Sequence, residues 1–74
     1  MAADFEIHRD TEGRWYWTFQ AGENQTIARG AETYAHRVEC IHAISLVRSL
    51  APRCRIFDMT EAGTAKVVAP DAAA

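Results

Sequence analysis

With 74 residues and a formal net charge of -2, the chain is too short for two domains and too acidic in balance for a general polyanion binder, which carries a basic face and a high pI. A domain of this size buries only roughly 60% of its unfolded surface, so a disulfide, a metal or a partner subunit has to be considered as a source of stability. Two cysteines, Cys40 and Cys54, are too few for a disulfide framework, and the sequence holds no signal peptide and no apolar run of membrane-spanning length, which points to a reducing, cytoplasmic setting without a membrane partner.

Taken in chain order, Phe5 to Arg9 alternates, with Phe5 and Ile7 on one side and Glu6 and His8 on the other, the period of a half-buried strand. Asp10 to Gly13 reads as a tight turn, Gly13 supplying a positive φ. Arg14 to Gln20 is the strongest strand signal: Trp15, Trp17 and Phe19 face one way, and Arg14, Tyr16, Thr18 and Gln20 the other. A second turn at Ala21 to Asn24 leads into a short third strand over Gln25 to Arg29, with Ile27 expected to point inward and Gly30 ending it.

Between Thr33 and Leu50 there is no Gly or Pro, and Cys40, Ile44, Val47 and Ala51 recur at helical spacing, which predicts an amphipathic helix with Thr33 as its N-cap. Ala43, Leu46 and Leu50 fall away from that face and form a second apolar strip that one helix on one sheet leaves partly wet. Pro52 ends the helix. Arg55 to Met59 has the β-branched and aromatic content of a further strand, Glu61 to Gly63 reads as a turn, Ala65 to Val68 as a short extra strand, and residues 69–74 as a disordered tail. The expected fold class is α+β: a β-β-β-α-β unit over residues 1–60, an antiparallel sheet with one helix on one face, followed by a 61–74 extension.

The residues in this order resemble the YegP-like family of small uncharacterised domains. The resemblance is carried by Phe5-Glu6-Ile7, by Gly13 followed by Arg14-Trp15-Tyr16-Trp17, and by Ile27-Ala28. It continues through Glu32 and Tyr34, through Cys40, Ile44 and Val47 in the helix, and through Ile56-Phe57-Asp58-Met59-Thr60. The chain departs from the family at the second hairpin turn, where Glu23-Asn24-Gln25 replaces Asn-Gly, and at Ala35, where the family places a serine. Residues 61–74 lie beyond its usual end. The resemblance implies that two units build one sheet and exchange their last strands. In a single-copy chain this means a homodimer, with Ile56, Phe57 and Met59 at the interface. The short, proline-containing connector Ala51 to Cys54 independently favours sending the strand to a neighbour.

His36 and Cys40 are four apart and could share a helix face as metal ligands, but His42 points away and the set is incomplete, so no metal is expected. Cys40, on the apolar face, reads as a small core hydrophobe. Cys54, between Arg53 and Arg55, is the better reactive thiol and carries a redox or catalytic reading as the third choice. The carboxylates Glu12, Glu23, Glu32 and Glu39 have no concave dry site to work in, no cofactor motif is present, and no enzyme is expected. The sheet face opposite the helix should display His8, Arg14, Tyr16, Thr18 and Gln20. If open, it could stack a planar small ligand or a single-stranded nucleic acid on Tyr16, although the acidic balance argues against nucleic acid. The first expectation is therefore a non-catalytic, dimeric interaction or accessory module, with the ligand-binding sheet as the alternative.

Overall fold

The computed structural model describes residues 2–68. The order of elements is β1 (Ala3–Arg9), β2 (Trp15–Ala21), β3 (Gln25–Arg29), α1 (Arg37–Leu50), a 3-10 turn (Ala51–Arg53), β4 (Phe57–Glu61) and β5 (Thr64–Val67). Strands β1, β2 and β3 form an antiparallel sheet in that order, and β4 and β5 form a second, two-stranded one. The class is α+β, and the order is β-β-β-α-β-β, the expected β-β-β-α-β unit followed by the short extra strand.

The β1–β2 pair runs seven residues without a slip, setting Phe5 opposite Phe19 and Ile7 opposite Trp17, so the alternating apolar residues meet on one face. Its turn is built by Asp10, whose Oδ1 accepts from the backbone N–H of Glu12 and of Arg14, both at 2.9 Å, while Gly13 takes φ +80°. In β3 the pairing shifts: Phe19 opposes Ala28 but Gln20 opposes Thr26. Ile27 is thus the extra residue of a β-bulge, and it is 54% exposed, not inward as its place in the sequence suggested. Ala28 takes the position under the helix side of the sheet instead.

The segment after β3 explains a second difference. A Cβ built at Gly30 would lie 2.5 Å from Trp17 Nε1, so the backbone passes the indole at a distance only glycine allows. The chain then bridges back to β2, with Trp15 and Tyr34 exchanging both backbone hydrogen bonds at 2.8 Å. Arg14 fastens this return: Nε donates to Thr33 Oγ1 at 2.7 Å and Nη2 to Thr33 O at 3.0 Å. Thr33 is therefore held in the loop and does not cap the helix. The helix starts at Arg37 with His36 as N-cap, and Glu39 Oε1 accepts the His36 N–H at 3.1 Å.

Trp17, Cys40 and Ile44 form the buried centre, with Phe5, Ile7, Trp15, Phe19, Tyr34, Ala43 and Val47 packed around them. Phe5 meets Trp17 edge-on at 5.6 Å and lies tilted against Phe19 at 4.8 Å. Helix α1 rests on β1 and β2 and does not reach β3. Strands β4 and β5 touch each other and no other element among the described residues. The radius of gyration records that separation: it is 15.1 Å, against about 11 Å for a compact chain of this length.

Candidate functional site

The C-terminal hairpin is apolar on one face and unpacked. Phe57 stands directly opposite Val67 and Asp58 opposite Lys66, so the two rows of the pleat separate an apolar face from a charged one. Ile56, Phe57, Met59, Val67 and Val68 are five of the nine large hydrophobic residues exposed in the described chain. The hairpin is nonetheless well formed. Val68 N–H donates to Ile56 O at 2.8 Å, and Lys66 Nζ lies 3.2 Å from the Glu61 carboxylate. The Thr60 hydroxyl at 2.6 Å and its backbone N–H at 2.9 Å both donate to Asp58 Oδ1, which holds that carboxyl below the usual range. Its base is aimed outward by the 3-10 turn, in which Cys54 N–H donates to Ala51 O at 3.1 Å and the Cys54 thiol to Leu50 O at 3.1 Å.

A second apolar surface lies between the helix and the sheet. Because α1 stops short of β3, an almost wholly apolar cleft of about 320 Å³ opens between the end of the helix and the sheet. Phe5, Phe19 and Ala28 form its floor, and Val47, Ala51 and Pro52 its wall. All five residues of β3 are exposed, and among the described residues no strand pairs with its outer edge. Val38, Leu46 and Leu50 are exposed along the helix; of the second strip expected from the spacing, Leu46 and Leu50 are exposed, whereas Ala43 packs against the core.

The opposite sheet face is closed by its own side chains. His8 stacks on Tyr16 at 5.1 Å and 20°, and the Arg29 guanidinium lies 4.2 Å from the centre of the same ring. β1 and β3 flank β2 on its two sides, so the two faces of the Tyr16 ring are taken. Beneath them Thr18 is buried, its hydroxyl 3.2 Å from His8 Nε2 and 3.0 Å from Gln20 Nε2, while Gln20 also bonds Thr26. His8 Nε2 lies 3.2 Å from Glu6 Oε1 as well. The structure thus brings His8, Tyr16 and Thr18 together in one polar layer and sets Arg14 apart at the loop. Arg29 was missed in the sequence as a member of this layer. The bulge at Ile27 sets its register opposite Thr18, and no local pattern signals it.

The two thiols have opposite environments. Cys40 is fully buried, and burial pushes its pKa above the ordinary thiol value, whereas Cys54 is exposed. His36 sits at the helix cap and Cys40 inside the core, so they do not form a ligand pair. Among the described residues no group of three potential metal ligands occurs, and no helix is long and apolar enough to cross a membrane.

Residues 10–58 match the family described as "Domain of unknown function (DUF1508)". The chain belongs to that family. It is the YegP-like, UPF0339 family of small single domains that the motif order resembled. A UPF0339 protein of Neisseria meningitidis serogroup B is 38% identical over 45 residues, 61% of this chain and 79% of the relative. A UPF0339 protein of Treponema denticola is 32% identical over 59 residues, 80% of this chain and 100% of the relative. No solved structure matches. The descriptions of the YegP-like relatives assign no activity, and β5 lies outside the matched segment.

Proposed function

We propose that this YegP-like protein is a non-catalytic, cytoplasmic interaction or accessory module that works as a homodimer, the two copies exchanging their C-terminal segments through Ile56, Phe57 and Met59. In this reading residues 1–60 are the domain and 61–74 an appended extension. The observation that carries it is the apolar hairpin itself: among the described residues β4 and β5 touch no other helix or strand, and Phe57 and Met59 are 44% and 67% exposed. Exposed apolar area of this continuity marks a protein contact in a soluble chain. The rigid, outward-directed connector through Pro52 keeps the segment from its own cleft and so favours exchange over folding back.

The reading of the opposite face as a ligand or nucleic-acid surface has less support, since Tyr16 is already flanked by His8 and Arg29 and offers no open ring to a base. Light scattering coupled to size-exclusion chromatography tests the dimer. A mass near twice 8.3 kDa that persists on dilution is expected, falling to the single-chain value in Phe57→Asp. A native protein that runs as one chain at every concentration sinks the proposal.

A further inference from the structure

We propose that the outer face of α1 is a docking surface for an amphipathic helix of another protein, one that carries aspartate or glutamate along its flanks. This face lies apart from the hairpin, so docking there is independent of the exchange of C-terminal segments.

The arginines of the chain divide into two groups. Arg9 lies 4.8 Å from the centre of the Trp15 ring and donates to Gly13 O, Arg14 fastens Thr33, Arg29 covers Tyr16, and Arg55 lies 5.0 Å from the centre of the Phe57 ring. Arg37, Arg48 and Arg53 are exposed, and among the described residues no carboxylate, carbonyl or aromatic ring engages them. All three belong to α1 or to the 3-10 turn that continues it. The one acid on this stretch, Glu39, already accepts the His36 N–H at the helix cap. In a chain whose net charge is -2, α1 and its turn therefore present a local positive surface whose complement is acidic.

The relief of the same face suits a helix. Val38, His42, Leu46 and Leu50, each four residues from the next, form one ridge, and Arg37, Ile41, Ser45 and Ser49 form its neighbour. Val38, Leu46 and Leu50 stand 69%, 47% and 57% exposed, whereas the serines are short, so a raised apolar row runs beside a low polar one. Arg48 borders the low row, lining an open polar hollow with Ser45 and Ser49. A second helix laid at about 20° to α1, with its three-residue rows in the groove between these ridges, keeps contact over the length needed to reach both Arg37 and Arg53. A second copy of α1 is a poor occupant. About a twofold axis, Arg37 of one copy would meet Arg53 of the partner subunit in an antiparallel pair, or the partner's Arg37 in a parallel one, cation against cation. A nucleic-acid backbone would meet the arginines and leave the Val38, Leu46 and Leu50 row wet.

An NMR titration of labelled full-length protein tests this, the probe being a synthetic helical peptide of about 20 residues with leucine on one face and glutamate on its flanks. Amide shifts confined to residues 37–53 are expected, weakening with added salt and absent with the same peptide carrying lysine for glutamate. Affinity should fall about tenfold when both Arg37→Glu and Arg53→Glu are introduced, and should also fall in Leu46→Ser, with circular dichroism showing the fold retained. Equal binding of the two peptides overturns the acidic partner, and no response to the glutamate peptide, or shifts centred on Ala28 or Phe57, overturns the docking face. Tighter binding of residues 37–53 to a single-stranded oligonucleotide or to vesicles of anionic lipid overturns the proposal in favour of that partner. Light scattering on the same sample reads the dimer separately, so failure of either reading leaves the other standing.

Discussion

The body and the C-terminal hairpin use the same residue types and reach opposite burial. In β2, Trp17 is 8% exposed because β1, the return loop at Gly30 and α1 close on it from three directions. In β4, Met59 and Phe57 alternate just as regularly, yet among the described residues no other helix or sheet faces them. A strand pattern thus specifies a face to be covered, and what covers it depends on where the chain goes next. Here the proline-bearing 3-10 turn after α1 sends the chain outward, so the layer that completes the hairpin is intermolecular in the assembly proposed above.

This contrast can be broken from either side. Trp17→Ala should cost about 3–5 kcal/mol, comparable with the whole stability of a domain this small, and leave the protein unfolded by circular dichroism at room temperature. Gly30→Ala forces a methyl against the Trp17 indole and should cost about 1–3 kcal/mol, read as a lower urea midpoint. Tyr16→Ala removes the stack on His8 and the Arg29 contact, with a loss of about 1–2 kcal/mol on the same assay. A residue serving only an external ligand would leave that midpoint unmoved.

The smallest effect sharpens the comparison at the two thiols. A thiol reagent at pH 8 should label Cys54 at the rate of a free cysteine and Cys40 only on unfolding, because the first is exposed and the second fully buried. Burial raises the Cys40 pKa, so its contribution to stability is complete below the ordinary thiol value of about 9 and is lost as pH rises through the higher folded value. Urea midpoints taken on either side of that value should fall with pH in the native protein and fall less in Cys40→Ala.

Much of this arrangement is legible in the residues. The alternation of Trp15, Trp17 and Phe19, the turn at Gly13, and the spacing of Cys40, Ile44 and Val47 are local patterns, and each produced its element. The helix start was misread because Thr33 satisfies the composition of an N-cap, while Arg14, 19 positions earlier, holds it in the loop instead. Ile27 was misplaced for a similar reason: a bulge is one residue of register, and the alternation on either side of it carries no mark. Ile56, Phe57 and Met59, the residues proposed for the dimer, stood out in sequence as a strand, and the structure puts them in or beside an exposed one.

What the sequence by itself determined is the set of elements, the fold class and the core-facing sides of β1, β2 and α1, because periodicity and turn chemistry act over a few residues. Only the tertiary structure decided that Tyr16 is sandwiched by His8 and Arg29, that Arg14 serves the loop, and that the cleft beside β3 and the hairpin face are both left uncovered. These depend on which distant residues meet, and that is set by the direction of the connections between elements rather than by the pattern within them.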